Sequence, residues 1–163
     1  MKSYFTRLDS PCKITFVVTY ACTFRCKTCN IGRNFLADPK GTVKGELSYE
    51  EIGRIFRSAK PSWLQLTGGE PFMRDMHLIL KSITENDDEL YAVSTTTNGF
   101  ATKVIVDSVK KILELEIPRF VVSISLDGFE HDHEEVRGIK TSFEKCINTF
   151  NELRKSSHSR GSI

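Results

Sequence analysis

Four short runs rich in β-branched residues recur along the chain, at Ile14 to Thr19, Trp63 to Thr67, Tyr91 to Thr96 and Phe120 to Leu126. Each is followed by a stretch with apolar residues at helical spacing, and this alternation constrains the fold more than any other feature. After the first run Ser48 and Glu51 form a capping box, with Ile52, Ile55, Phe56 and Ala59 on one face behind it. Asp75 to Glu85 carries Leu78, Ile79 and Ile83, and the segment after Ala101 carries Ile105, Val109, Ile112 and Leu113. Thr141 and Glu144 cap a last helix with Phe143, Cys146, Ile147, Phe150 and Leu153. Strand–helix units joined by short connections imply right-handed crossovers and a parallel sheet, either doubly wound or curved into a barrel. The apolar runs look nearly continuous, which predicts strands buried on both faces.

With 163 residues the chain can bury an apolar core without disulfide stapling. Its 23 Lys and Arg against 21 Asp and Glu leave a net charge of +2, too small to argue for nucleic acid or an acidic membrane surface. No run reaches the roughly 20 apolar residues of a membrane span, and Met1 to Pro11 does not read as a secretory signal. The chain therefore reads as cytoplasmic. The longest connection, Ile31 to Leu47, follows the cysteines directly and reads either as a functional cover or as a plain surface loop. Residues 1–155 read as one domain, and 156–163 as a polar flexible tail.

Three of the five cysteines fall in Cys22-Thr-Phe-Arg-Cys26-Lys-Thr-Cys29, just past the first strand. In a reducing compartment such crowding favours metal ligation or catalysis over disulfides. Three thiolates on one loop suit an iron–sulfur cluster whose fourth iron another molecule takes. A structural zinc site would need a fourth donor, from Cys12, His131 or His133. Arg25 and Lys27 keep the loop polar and offset a cluster's negative charge, whereas Cys12 and Cys146 read as structural.

Further motifs stand at the C-terminal ends of the later strands. Gly68 and Gly69 let backbone approach a ligand closely, and Glu70 adds a carboxylate, although the same residues suit a turn opening a helix. Asn98 precedes Gly99 in a turn-like Asn-Gly pair. Ser123, Ser125 and Asp127 alternate along a strand, so they share one face and could line a cavity, or Asp127 could cap the next turn. Arg137 reads either as a solvated charge or as a site residue.

Taken in order, CxxxCxxC, Gly68-Gly69-Glu70-Pro71, Thr97-Asn98-Gly99 and Ser123-Ile124-Ser125-Leu126-Asp127-Gly128 resemble the radical S-adenosylmethionine (radical SAM) superfamily, over about Lys13 to Leu153. The resemblance implies an α/β fold, a partial (β/α) barrel with about four parallel β/α units of an incomplete TIM barrel, against the family's usual count of about six. It thus suggests a fragment of a longer protein. By the resemblance Cys22, Cys26 and Cys29 hold a [4Fe–4S] cluster, and its open iron chelates S-adenosyl-L-methionine. Gly68, Gly69 and Glu70 would hold the methionyl amine, the serines and Asp127 the ribose or methionyl end, and Arg137 the carboxylate, with Asn98 a further candidate. An electron from a donor such as flavodoxin or ferredoxin would then cleave the sulfonium bond, giving a 5′-deoxyadenosyl radical that takes hydrogen from an unknown substrate, a peptide or a cofactor precursor. The other reading is a non-catalytic iron–sulfur or zinc module that acts as a carrier or docking domain. Thr28 stands where many members carry an aromatic residue against the adenine. The open edge of the fourth strand invites a dimer or a covering partner.

Overall fold

A computed structural model describes residues 10–85 and 90–158. Within them the chain runs β1 (Lys13–Thr19), α1 (Ile31–Ala37), α2 (Pro39–Thr42), α3 (Tyr49–Ala59), β2 (Trp63–Gly68), a 3-10 turn (Pro71–Met73), α4 (Met76–Thr84), β3 (Ala92–Thr97), α5 (Thr102–Leu113), β4 (Arg119–Ile124), α6 (Glu130–Arg137) and α7 (Ser142–His158). The sheet has the order β1-β2-β3-β4 with every pairing parallel, the open arrangement of a partial β/α barrel. Sequential order and parallel pairing put every strand's C-terminal end, and every loop that leaves it, on one edge. That edge is where such folds collect their chemistry.

The strands alternate rather than being buried on both sides. Leu64, Leu66 and Val93 are fully buried beneath the helices, together with Ile52, Ile79, Leu80, Ile105 and Ile112. The opposite face presents Lys13, Gln65, Ser94, Thr96, Arg119, Val121 and Ser123 to a cavity of about 720 Å³ on the uncovered side of the sheet. The continuous apolar look of the strands arises because threonine and valine suit a strand whether or not a second layer covers them.

The segment read as one long loop, Ile31 to Leu47, contains α1 and α2. No side-chain hydrogen bond caps α1, whereas Asp38 caps α2 with Pro39 in the first turn, so the Asp-Pro pair starts a helix here. The Ser48–Glu51 capping box is formed as expected. Thr141 is different: at φ 63° it is left-handed, not in the extended conformation of a capping threonine. The buried stripe of α7 is also more polar than its spacing suggested, because Ser142, Cys146 and Thr149 are buried while Ile147 and Phe150 are exposed. Helix α7 takes in 156–158 of the expected tail, and 159–163 lie outside the described residues.

Candidate functional site

The loop that leaves β1 is laced to the turn that leaves β2. Gly69 and Glu70 donate their N–H groups to the carbonyls of Thr19 and Ala21, at 2.8 and 2.7 Å. Gly68 sits at φ 135°, and a Cβ there would lie 2.1 Å from the Thr19 carbonyl oxygen, so no other residue fits this crossing. The Thr19 hydroxyl accepts from the Ala21 N–H at 2.9 Å and donates to Glu46 Oε1 at 2.7 Å. These bonds fix the chain just before Cys22.

Beyond that point Cys22 and Cys26 are buried beside Phe24, which meets Phe100 edge to face at 5.5 Å. Cys29 is exposed, its Sγ accepting from the Ile31 N–H at 3.4 Å. Burial pushes the Cys22 thiol up from its ordinary value, helped by the charges of Glu70, Cys26 and Cys29 and opposed by the Phe24 backbone N–H. The far side of the loop rests on the C-terminal end of α6. The backbone N–H groups of Arg25 and Lys27 donate to the carbonyls of Arg137 and Val136 at 3.3 and 2.7 Å, filling acceptors that a helix end leaves open. Lys27 also pairs with Glu135. Arg137 reaches back, with Nη1 3.9 Å from Cys26 Sγ and Nε 2.5 Å from Asp127 Oδ2. The latter contact is an ion pair off the hydrogen-bond direction, since Nε has no hydrogen-bond partner.

Glu70 ties the second and third strand ends together. Its Oε1 accepts from Thr97 Oγ1 at 2.8 Å and the Phe72 N–H at 3.2 Å, and its Oε2 accepts from the Asn98 N–H at 2.7 Å. Burial still raises its pKa above the usual carboxylate value, with these donors and Arg137 pulling the other way. Asn98 closes its own turn, Oδ1 accepting from the Phe100 N–H at 3.0 Å.

The donors suit a cluster in kind: three thiols on one loop with a guanidinium beside one of them. Among the described residues no three His, Cys, Asp or Glu side chains converge as they would around a single metal ion. Nor do the sequence candidates supply a fourth ligand. Cys12 precedes β1, on the opposite edge of the sheet, and His133 Nδ1 accepts from the Asp127 N–H at 3.3 Å. His131 is paired at 3.4 Å with Asp132 in solvent.

A comparison with protein families matches residues 16–162 to the model of the radical SAM superfamily. The chain belongs to the radical SAM superfamily. Among characterised proteins it is similar to GTP 3′,8-cyclase of Campylobacter jejuni strain RM1221, 29% identical over 139 residues that make up 83% of this chain and 41% of that protein. It is also similar to GTP 3′,8-cyclase of Aliarcobacter butzleri strain RM4018, 27% identical over 142 residues, 85% of this chain and 41% of that protein. The chain thus spans about two-fifths of the length of these relatives.

Enzymes of the radical SAM superfamily generally use a [4Fe–4S] cluster and S-adenosylmethionine. Of the residues singled out in the sequence, the fold joins Cys22, Cys26, Glu70, Asn98, Asp127 and Arg137 through the contacts above. Cys29 stays at the solvent side of its loop. Ser123 lies apart, on the open face with Val121, and Ser125 falls just past β4, its N–H donating to the Thr97 carbonyl at 3.0 Å. Because β4 ends at Ile124, Asp127 is a loop residue and does not share a strand face with the serines. Sequence reasoning missed Gly32, Glu46 and Gly138. A Cβ at Gly32 would lie 1.8 Å from the Phe24 carbonyl oxygen, and one at Gly138 would lie 2.7 Å from that of Arg25. The helix-ending position of Gly138 was a visible signal; nothing in the sequence marked Glu46.

Proposed function

We propose that this chain is the cofactor-binding part of a radical SAM enzyme. Cys22, Cys26 and Cys29 are the cluster ligands in this reading, Gly68, Gly69, Glu70, Asn98, Ser125, Asp127 and Arg137 hold S-adenosylmethionine at the strand ends, and Ser123 faces it from the open side of the sheet. The observation that supports it most is the meeting of four separate motifs at one sheet edge, with Arg137 between Cys26 and Asp127 and Glu70 between Thr97 and Asn98. When bound, the cluster and its sulfonium partner supply one-electron bond cleavage and hydrogen abstraction, with flavodoxin or ferredoxin as the class of electron donor.

The chain's own residues bind and shield. Phe24 and Phe100 exclude water around Cys22 and Cys26, and the positive charge of Arg137 offsets the negative charge of a thiolate. Close backbone approach at Gly69, where a Cβ would lie 2.3 Å from the Ala21 carbonyl oxygen, holds the turn that carries Glu70 against the cysteine loop. The GTP 3′,8-cyclase relatives, named for a nucleotide, favour a small molecule over a peptide as substrate.

Anaerobic reconstitution with iron and sulfide is expected to give cluster absorption that is lost in Cys26→Ala. Dithionite and S-adenosylmethionine should then yield 5′-deoxyadenosine. An unchanged spectrum in the variant would overturn the ligand assignment, and iron binding without 5′-deoxyadenosine would leave the non-catalytic carrier or docking module instead.

A further inference from the structure

Beneath the strand ends lies a buried polar node that the proposed function does not use. His133 and Cys146 are almost wholly buried, one on α6 and the other on α7. His133 Nδ1 accepts from the Asp127 N–H at 3.3 Å, so the neutral ring carries its proton on Nε2. That nitrogen faces Cys146 Sγ at 3.7 Å, and the thiol in turn donates to the Asn98 carbonyl at 2.9 Å, with the Ser125 carbonyl at 3.8 Å. Every donor and acceptor thus has one direction, running from the Asp127 N–H through imidazole and thiol to the Asn98 carbonyl. Thr149 extends the node, its hydroxyl donating to the Gly99 carbonyl at 2.6 Å.

The node holds the backbone at positions whose upper sides bear the site. Asn98 is gripped at its N–H by Glu70 and at its carbonyl by Cys146. Asp127, gripped at its N–H by His133, pairs through its carboxylate with Arg137. A free buried cysteine is usually a small hydrophobe, yet here alanine would leave the Asn98 carbonyl without its buried donor.

We propose that Cys146 and His133 are positioning residues, a directional thiol–imidazole chain that sets the β3 and β4 exits in register with each other for S-adenosylmethionine binding. The proposal rests on the function proposed above. Neither side chain touches the cofactor; both act through Asn98 and Asp127.

The test uses the whole chain, metal-free and anaerobically reconstituted. In the metal-free chain, nitrogen NMR should find His133 as the Nε2–H tautomer, and the Asp127 amide should be protected from exchange, a protection lost in His133→Leu. In the reconstituted chain, Cys146→Ala should weaken S-adenosylmethionine binding about tenfold, the size expected for one lost hydrogen bond, at unchanged iron content. Cys146→Ser, which keeps a donor towards the same carbonyl, should recover most of that loss. An Nδ1–H tautomer, or alanine and serine variants equally weakened or equally unaffected, would overturn the proposal. Should the parent chain bind iron but no S-adenosylmethionine, the proposed function fails by itself, and the tautomer and the Asp127 amide decide the node.

Discussion

Glu70 shows how a single side chain in this protein is held by roles its motif does not announce. Both of its oxygens already accept from backbone or hydroxyl donors. In Glu70→Gln one oxygen becomes an NH2 group facing a donor, which should cost about 1–3 kcal/mol, read as a lower urea midpoint of the metal-free chain. His133 gives a pH prediction. Burial, aided by Arg137, holds its pKa below the ordinary value of 6.5. Between that value and the lower folded one, the unfolded chain binds a proton that the folded chain refuses, so stability falls as pH drops through about 6.5 and levels off further down. Urea melts at stepped pH should show this slope, and His133→Leu should flatten it. That the cysteines follow β1 and that Gly68 to Glu70 close β2 was legible because each motif is local. The Arg137 contact with Cys26 was not, since it spans 111 positions and depends on where α6 docks.

The start of α3 illustrates what an element's own sequence decides. Its Ser48 hydroxyl accepts from the Glu51 N–H while Glu51 returns a bond to the Ser48 N–H. Ser48→Ala should lower stability by about 1 kcal/mol, seen as a shift in thermal midpoint without change in the folded spectrum. The four strands were readable from their β-branched runs, and their bounds agree with the structure to within a residue or two. What spacing misjudged was packing. Helix α7 presents Cys146 and Thr149 to the interior because carbonyls at the β3 exit need donors there, which outweighs burying Phe150. Helix α1 escaped notice because it is seven residues long and uncapped.

For the molecule as a whole, the open sheet sets the behaviour. Among the described residues strand β4 pairs with β3 alone, and its outward face carries Val121, 45% exposed. An uncovered parallel edge of this kind should self-associate. Sedimentation of the chain is expected to show concentration-dependent dimers or larger species, diminished by Val121→Lys. The proposed iron ligands, too, depend on residues far away in the chain. The loop from Cys22 to Cys29 leans on the carbonyls of Val136 and Arg137, and it gains that seat only once β4 and α6 have been added to the sheet. On a ribosome the cysteines emerge before α6 and stay without their cradle until more than a hundred further residues have been translated. Under the proposed function, iron delivered to a nascent chain would therefore meet an unfinished socket, and loading would follow synthesis of the fourth strand–helix unit.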